Sequence, residues 1–236
     1  AKILCERVSS FDLVRFTNSG TEATLNTIRA ARAFTGKNKF AKVEGGYHGT
    51  HDAVTVSVRV DPKIAGDAQA PQAVAASEGL ADGILDQVVV IPFNHTATAR
   101  KILEENKDEL AAVIVEPVMG SVGMIPGSAE FLTMLREFTQ ENGIVLIFDE
   151  VISFRVAPGG SQQYYGITPD MTSLGKIIGG GFAVGAFGGR KDIMDLYDPT
   201  KGIKVSHAGT FNANPVTMLA GAVTMEQLTP DVYRDM

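Results

Sequence analysis

Cysteine is almost absent: Cys5 is the only one among 236 residues, which excludes an intrachain disulfide framework and any multi-cysteine zinc site. It is expected to be a small buried or half-buried hydrophobe. No long run of Lys or Arg occurs and the net charge is −6, so a sequence-independent grip on phosphate backbones is excluded and no nucleic-acid partner is expected. No uninterrupted apolar stretch approaches a membrane span, and the N-terminus lacks the apolar core of a signal peptide. The expectation is therefore a cytoplasmic protein without a membrane partner. Three enzyme signatures are also missing: the Gly-x-x-x-x-Gly-Lys-Ser/Thr phosphate loop, Gly-x-Gly-x-x-Gly after a strand, and the Gly-x-Ser-x-Gly elbow.

What is present suits one large domain, or one with a small appendage: 44% hydrophobic residues and 25 glycines, with no internal repeat and no boundary within residues 1–236. The chain opens on Ala1 and ends at Met236 soon after a predicted helix, so it is expected to be a piece of something longer. Hydrophobic periodicity predicts strands at 12–17, 39–43, 87–91, 111–116, 144–149 and 184–188, and helices at 21–34, 96–106, 128–141 and 214–227. Strands alternating with helices of this length predict a three-layer α/β/α sandwich around a mostly parallel sheet. Residues 61–83 carry Pro62, Gly66, Pro71, Gly79 and Gly83 without a clear period and read as one long loop, expected to gate a site.

The chemistry concentrates in 146–181. Asp149 ends the apolar run Ile144 to Phe148, so its carboxylate should emerge where open α/β sheets keep their ligands. Lys176 follows 27 residues later among Leu174, Ile177, Ile178 and glycines; an amine partly desolvated there would be a nucleophile. Ser19, Gly20 and Thr21 join a strand to a helix, where free N–H groups and hydroxyls can face an anion; a plain N-cap is the alternative. Tyr47 sits in the glycine-flanked turn with His48, where a ring can be presented flat to a ligand or simply lie at the surface. His48, His51 and Asp52 lack the helical HExxH context, so no metal is expected. Glu116 closes a second buried strand at the same edge as Asp149. A lysine, an acid, an anion cradle and a turn aromatic are together the set that pyridoxal phosphate requires.

In order along the chain, Asn18-Ser19-Gly20-Thr21-Glu22-Ala23, Tyr47-His48-Gly49, Glu116-Pro117, Phe148-Asp149-Glu150-Val151, Ser173-Leu174-Gly175-Lys176 and Gly209-Thr210-Phe211 resemble the class III pyridoxal-phosphate aminotransferases. The stretches Gly166 to Asp170 and Gly188 to Arg190 look closest to the glutamate-1-semialdehyde aminomutases among them. The resemblance implies the large domain of a fold-type I enzyme, without the N-terminal arm and C-terminal small domain of the longer family members. It implies pyridoxal 5'-phosphate held by Lys176 as an aldimine, with Asp149 on the ring nitrogen, Val151 and Tyr47 on the ring faces, and His48 beside the cofactor. Ser19, Gly20 and Thr21 would hold the phosphate, Glu116 would order the surrounding groups, and Thr210 would reach the phosphate from the other subunit of a homodimer. Ser121 stands near the ring hydroxyl where the aminomutases usually carry asparagine, which weakens the mutase reading. The implied reaction moves an amino group between a small amine or amino acid and a carbonyl acceptor. An intramolecular aminomutase and a catalytically incompetent cofactor-binding fragment are the alternatives. Arg59 and Arg155 are the candidates for a substrate carboxylate.

Overall fold

The computed structural model describes residues 1–202 and 204–235. Helix α1 (Lys2–Arg7) leads to strand β1 (Leu13–Thr17), helix α2 (Gly20–Thr35) and strand β2 (Lys39–Val43). Two short strands, β3 (Gly66–Asp67) and β4 (Ala70–Pro71), form a hairpin before β5 (Val88–Ile91). Then come α3 (Thr96–Asn106), β6 (Leu110–Val115) and a second small hairpin of β7 (Val118–Met119) and β8 (Ile125–Pro126). Helix α4 (Ala129–Glu141), β9 (Val145–Asp149), α5 (Gly160–Tyr165), β10 (Met171–Gly175) and β11 (Gly185–Gly189) follow. Helices α6 (Lys191–Met194), α7 (Pro215–Gln227) and α8 (Pro230–Asp235) end the described chain.

Seven strands form one sheet in the order β1-β11-β10-β9-β6-β2-β5. All run parallel except β11, which is antiparallel to both of its neighbours. The carboxyl ends of the parallel strands therefore share one edge. Strands β6 and β9 are buried at every position, as expected for a sheet covered on both faces. Side chains alternate between the two faces. Ala112, Ile114, Val145 and Ile147 pack with Ala23, Ile28 and Ala31 of α2, while Val113, Val115, Leu146 and Phe148 pack with Leu103 of α3 and Phe131, Leu135 and Phe138 of α4. Each fully buried Leu or Phe stabilises the fold by roughly 1.5–3 kcal/mol, so this double packing anchors the edge where β9 ends. A third apolar cluster joins α1 and α7 to Leu174, Ile178 and Val184.

The long helices start where the chain supplies a cap: Ser19 Oγ accepts from the N–H of Glu22, Ser128 Oγ from that of Phe131, and Asn214 Oδ1 from that of Val216 ahead of Pro215. Strand β10 escapes a polarity-based reading because it carries Thr172 and Ser173 fully buried. Their hydroxyls find polar partners inside: Ser10 Oγ lies 2.8 Å from Thr172 Oγ1, and Thr27 Oγ1 lies 3.3 Å from Ser173 Oγ. Residues 61–83 are not featureless, because the β3–β4 hairpin interrupts them, and Ala73 and Leu80 pack against the core. Among the described residues, no helix is long and apolar enough to cross a membrane.

Candidate active site

The shared strand edge carries a cleft of about 310 Å³. Ser19, Gly20, Thr21, Tyr47, His48, Glu116, Asp149, Val151 and Lys176 all line it, although they are scattered over 158 positions of sequence (19 to 176, both included). The topology explains the convergence. Each of these residues follows, or ends, a strand whose carboxyl end lies at that edge, or stands on a turn that leaves it.

Asp149 is the last residue of β9 and is 3% exposed. Its Oδ1 accepts the N–H of Val151 at 3.1 Å and its Oδ2 lies 2.8 Å from His48 Nδ1. A carboxylate only accepts, so the shared hydrogen sits on Nδ1 and fixes the imidazole's tautomer. His48 Nε2 is buried without a partner. His48 thus orients the Asp149 carboxylate at the cleft wall. Among the described residues no group of three His, Cys, Asp or Glu side chains could hold a metal ion.

Glu116 bridges two loops. Its Oε1 accepts the N–H of Tyr47 at 2.8 Å and its Oε2 that of Gly120 at 3.2 Å. Burial pushes its carboxyl above the usual range and Asp149 adds to this, while His48 and the two amide donors pull it back. Tyr47 itself stays exposed at the cleft.

At the start of α2, Ser19 Oγ is occupied by its own helix cap, which is the bland alternative realised. The N–H groups of Gly20 and Thr21, at the helix's first turn, have no intrahelical acceptor and remain available to an anion. Two glycines make the close approach possible. A Cβ on Gly20 would stand 2.9 Å from Val151 Cγ2, and one on Gly49, whose φ is +105°, would stand 2.8 Å from Thr21 Cα. The Tyr47 turn is thereby pressed against the anion-facing turn, and Thr24 Oγ1 adds a 2.5 Å bond to the carbonyl of His48.

Lys176 begins a 3-10 turn after β10, at φ +48°, and is exposed. The desolvation expected from its apolar neighbours in sequence is not found in the chain itself, because Ile178 turns into the core while the lysine points out. Three further expectations are corrected. Ser121 stands at the start of the β7–β8 turn, one residue beyond the amide that Glu116 holds, and does not line the cleft. No residue of 61–83 lines it either, so a gating role within one chain has no support. Arg155 lies in another pocket, with Tyr164, Tyr165 and Tyr233, and Arg59 is exposed outside the cleft. Thr210 is exposed and is not brought to its own chain's cleft.

Sequence reasoning missed Asn18, Ile152, Phe182, Ala183 and Val184 along the cleft. Asn18 opens the quoted motif without having been given a role, and its position before Ser19 was a usable signal; the apolar residues carry none.

The model of the family described as aminotransferase class-III matches residues 1–233. The chain belongs to the class-III aminotransferases. Among curated class-III relatives, it is 48% identical to a glutamate-1-semialdehyde 2,1-aminomutase of Ignicoccus hospitalis, over 97% of this chain and 52% of the relative. It is 45% identical to that of Methanocaldococcus jannaschii, over 100% of this chain and 53% of the relative. The chain thus spans about half the length of the curated relatives it matches. Among solved structures, an omega-transaminase from Sphaerobacter thermophilus superposes with a TM-score of 0.94 at 50% identity, covering 98% of this chain and 53% of that one. A glutamate-1-semialdehyde aminomutase from Pseudomonas aeruginosa in complex with PMP gives 0.83 at 25% identity, covering 99% and 51%. The class-III fold is therefore that of the expected α/β/α layer with its mostly parallel sheet.

Proposed function

We propose that the chain is the cofactor-binding large domain of a pyridoxal-phosphate-dependent aminotransferase that moves an amino group between an amine or amino acid and a carbonyl acceptor. The observation that carries this reading is the single cleft shared by an exposed lysine, a buried strand-end aspartate and the open first turn of α2. The residues fit the cofactor: Gly20 and Thr21 offer main-chain donors to its phosphate, Tyr47 and Val151 line the space for its ring, and Asp149 offers a carboxylate to its nitrogen. When bound, the cofactor would supply an electron-withdrawing ring that stabilises negative charge at the substrate's α-carbon. Lys176 would hold it covalently and carry the proton to and from that carbon. Asp149, oriented by His48 and the N–H of Val151, would keep the ring nitrogen protonated. We also propose a homodimer in which Thr210, exposed here, reaches the cleft of the second copy, and further domains that close the site and select the substrate.

The test is spectroscopic. Purified protein given pyridoxal phosphate should develop the visible band of the lysine-bound cofactor, and Lys176→Ala should lack it. A wild-type chain without the band would leave only an incompetent fragment. An intramolecular aminomutase is the second reading, favoured by the curated relatives' names. Incubation with glutamate 1-semialdehyde alone separates the two: 5-aminolevulinate formed without any second amino acceptor would sink the simple transaminase.

A further inference from the structure

Lys42 is completely buried, on the strand β2 that lies between β6 and the edge strand β5. Its ammonium forms no ion pair among the described residues; it donates instead to three main-chain carbonyls, Val56 at 2.7 Å, Val43 at 3.2 Å and Ser57 at 3.4 Å. A buried ammonium is costly, and an unpaired one more so. Burial pushes it down to about 7, while the Glu116 and Glu44 carboxylates act in the opposite direction. The cost has a location. The three carbonyls bracket the stretch from Val43 to Ser57, and the N–H of Gly45 donates to the Ser57 carbonyl at 2.8 Å, closing the same base. Between those ends lies the turn that presents Tyr47 and His48 to the cleft.

The turn has two other supports. Glu116 holds the amides of Tyr47 and Gly120, and His48 holds Asp149. Glu116 stands next to Asp149, which favours protonating it. A protonated carboxyl would give up part of its capacity to accept from both amides. The positive charge of Lys42 opposes that protonation.

We propose that Lys42 is a positioning residue for the cofactor face of the cleft: it closes the Val43 to Ser57 stretch at its base and attracts the Glu116 carboxylate that holds the Tyr47 and Gly120 amides, so that Tyr47, His48 and Asp149 stand in place. This rests on the reading that the cleft takes pyridoxal phosphate. The role is distinct from that of Lys176, which would touch the cofactor directly.

Two measurements on Lys42→Met test it. In ligand-free protein, hydrogen exchange at the amides of Tyr47 and Gly120 should accelerate at least ~10-fold, while the β9 amides from Leu146 to Phe148 keep wild-type rates. The dissociation constant for pyridoxal phosphate should rise by about tenfold or more. Unchanged exchange at Tyr47 and Gly120 overturns the proposal, and so does uniform acceleration that includes β9, which would mark plain destabilisation. If the Met variant does not fold, Lys42→Gln, which keeps donors but removes the charge, is read by the same criteria. A wild-type chain that never develops the cofactor band would refute the proposed function alone, because the exchange measurement needs no cofactor.

Discussion

The chain carries two lysines of opposite character. Lys176, set among isoleucines and glycines in sequence, is exposed at the mouth of the cleft. Lys42, set in a strand of mixed composition, has no exposed surface at all. The amine that a linear reading expects to be desolvated is solvated, and the one that looks like an ordinary strand lysine is desolvated. Apolar neighbours in sequence say where a segment is buried; they do not say which way one side chain leaves it. Lys176 sits at a positive φ in an exposed turn, whereas Lys42 stands on β2, paired on both sides by β6 and β5, with its ammonium held by the Val43, Val56 and Ser57 carbonyls. A solvated amine suits binding from outside. A buried one suits holding the protein's own carbonyls.

Removing each amine separates the two roles. Lys176→Ala should abolish the cofactor band and reduce transamination by a factor of 10³ or more, with thermal unfolding near that of wild type because an exposed side chain is lost. A large drop in unfolding temperature would break the contrast. The buried carboxyl in the same cleft comes next: Asp149→Asn should lower the rate by roughly 10²-fold, and stopped-flow half-reactions should show it. An unchanged rate would remove Asp149 from the chemistry.

Lys42 also has a pH signature. Its folded value of about 7 lies below the ordinary 10.5, and Glu116 and Glu44 are the charged groups that act on it. Below pH 7 it is charged in both states; above, the folded chain releases a proton that the unfolded chain keeps. Stability from this group therefore rises with pH between about 7 and 10.5, and is lost as pH falls through 7. Denaturant unfolding from pH 6 to 9 should show wild type gaining on Lys42→Met, and parallel curves would refute the assignment. Glu150 gives the opposite slope. It is fully buried without a cation, accepting from Ser161 N–H, Gln162 N–H and Gln162 Nε2, and its carboxyl is pushed up to about 7. Its contribution is complete below about pH 4.5 and is lost as pH rises to 7. Glu150→Gln should flatten that decline. The smallest effect returns to Lys176: a glycine relieves its positive φ, so Lys176→Gly should unfold at a free energy higher by about 0.5–1 kcal/mol. A destabilised glycine variant would mean that the lysine is held in place by contacts.

The strands and helices with strong periodicity were legible in advance. Thr96–Asn106 and Lys39–Val43 have the predicted bounds, and the other predicted elements differ by a residue or two. Strand β10 was not legible because its hydroxyls are satisfied by distant partners, and α1, α5, α6 and α8 because six residues or fewer carry little periodicity. The partnership of His48 with Asp149, 101 residues apart, has no linear signal either.

The sequence by itself determined the layered α/β fold and the set of groups at its strand ends, because period and apolar runs decide what must be buried and which ends share an edge. Only the tertiary structure decided what each polar group does there. Ser121 leaves the cleft, His48 serves Asp149, Lys176 faces out and Lys42 is sealed in. The reason is physical: burial of apolar surface depends on amounts and is read from composition along a strand, whereas the fate of a charge depends on the few atoms within hydrogen-bonding distance, and folding alone brings those together.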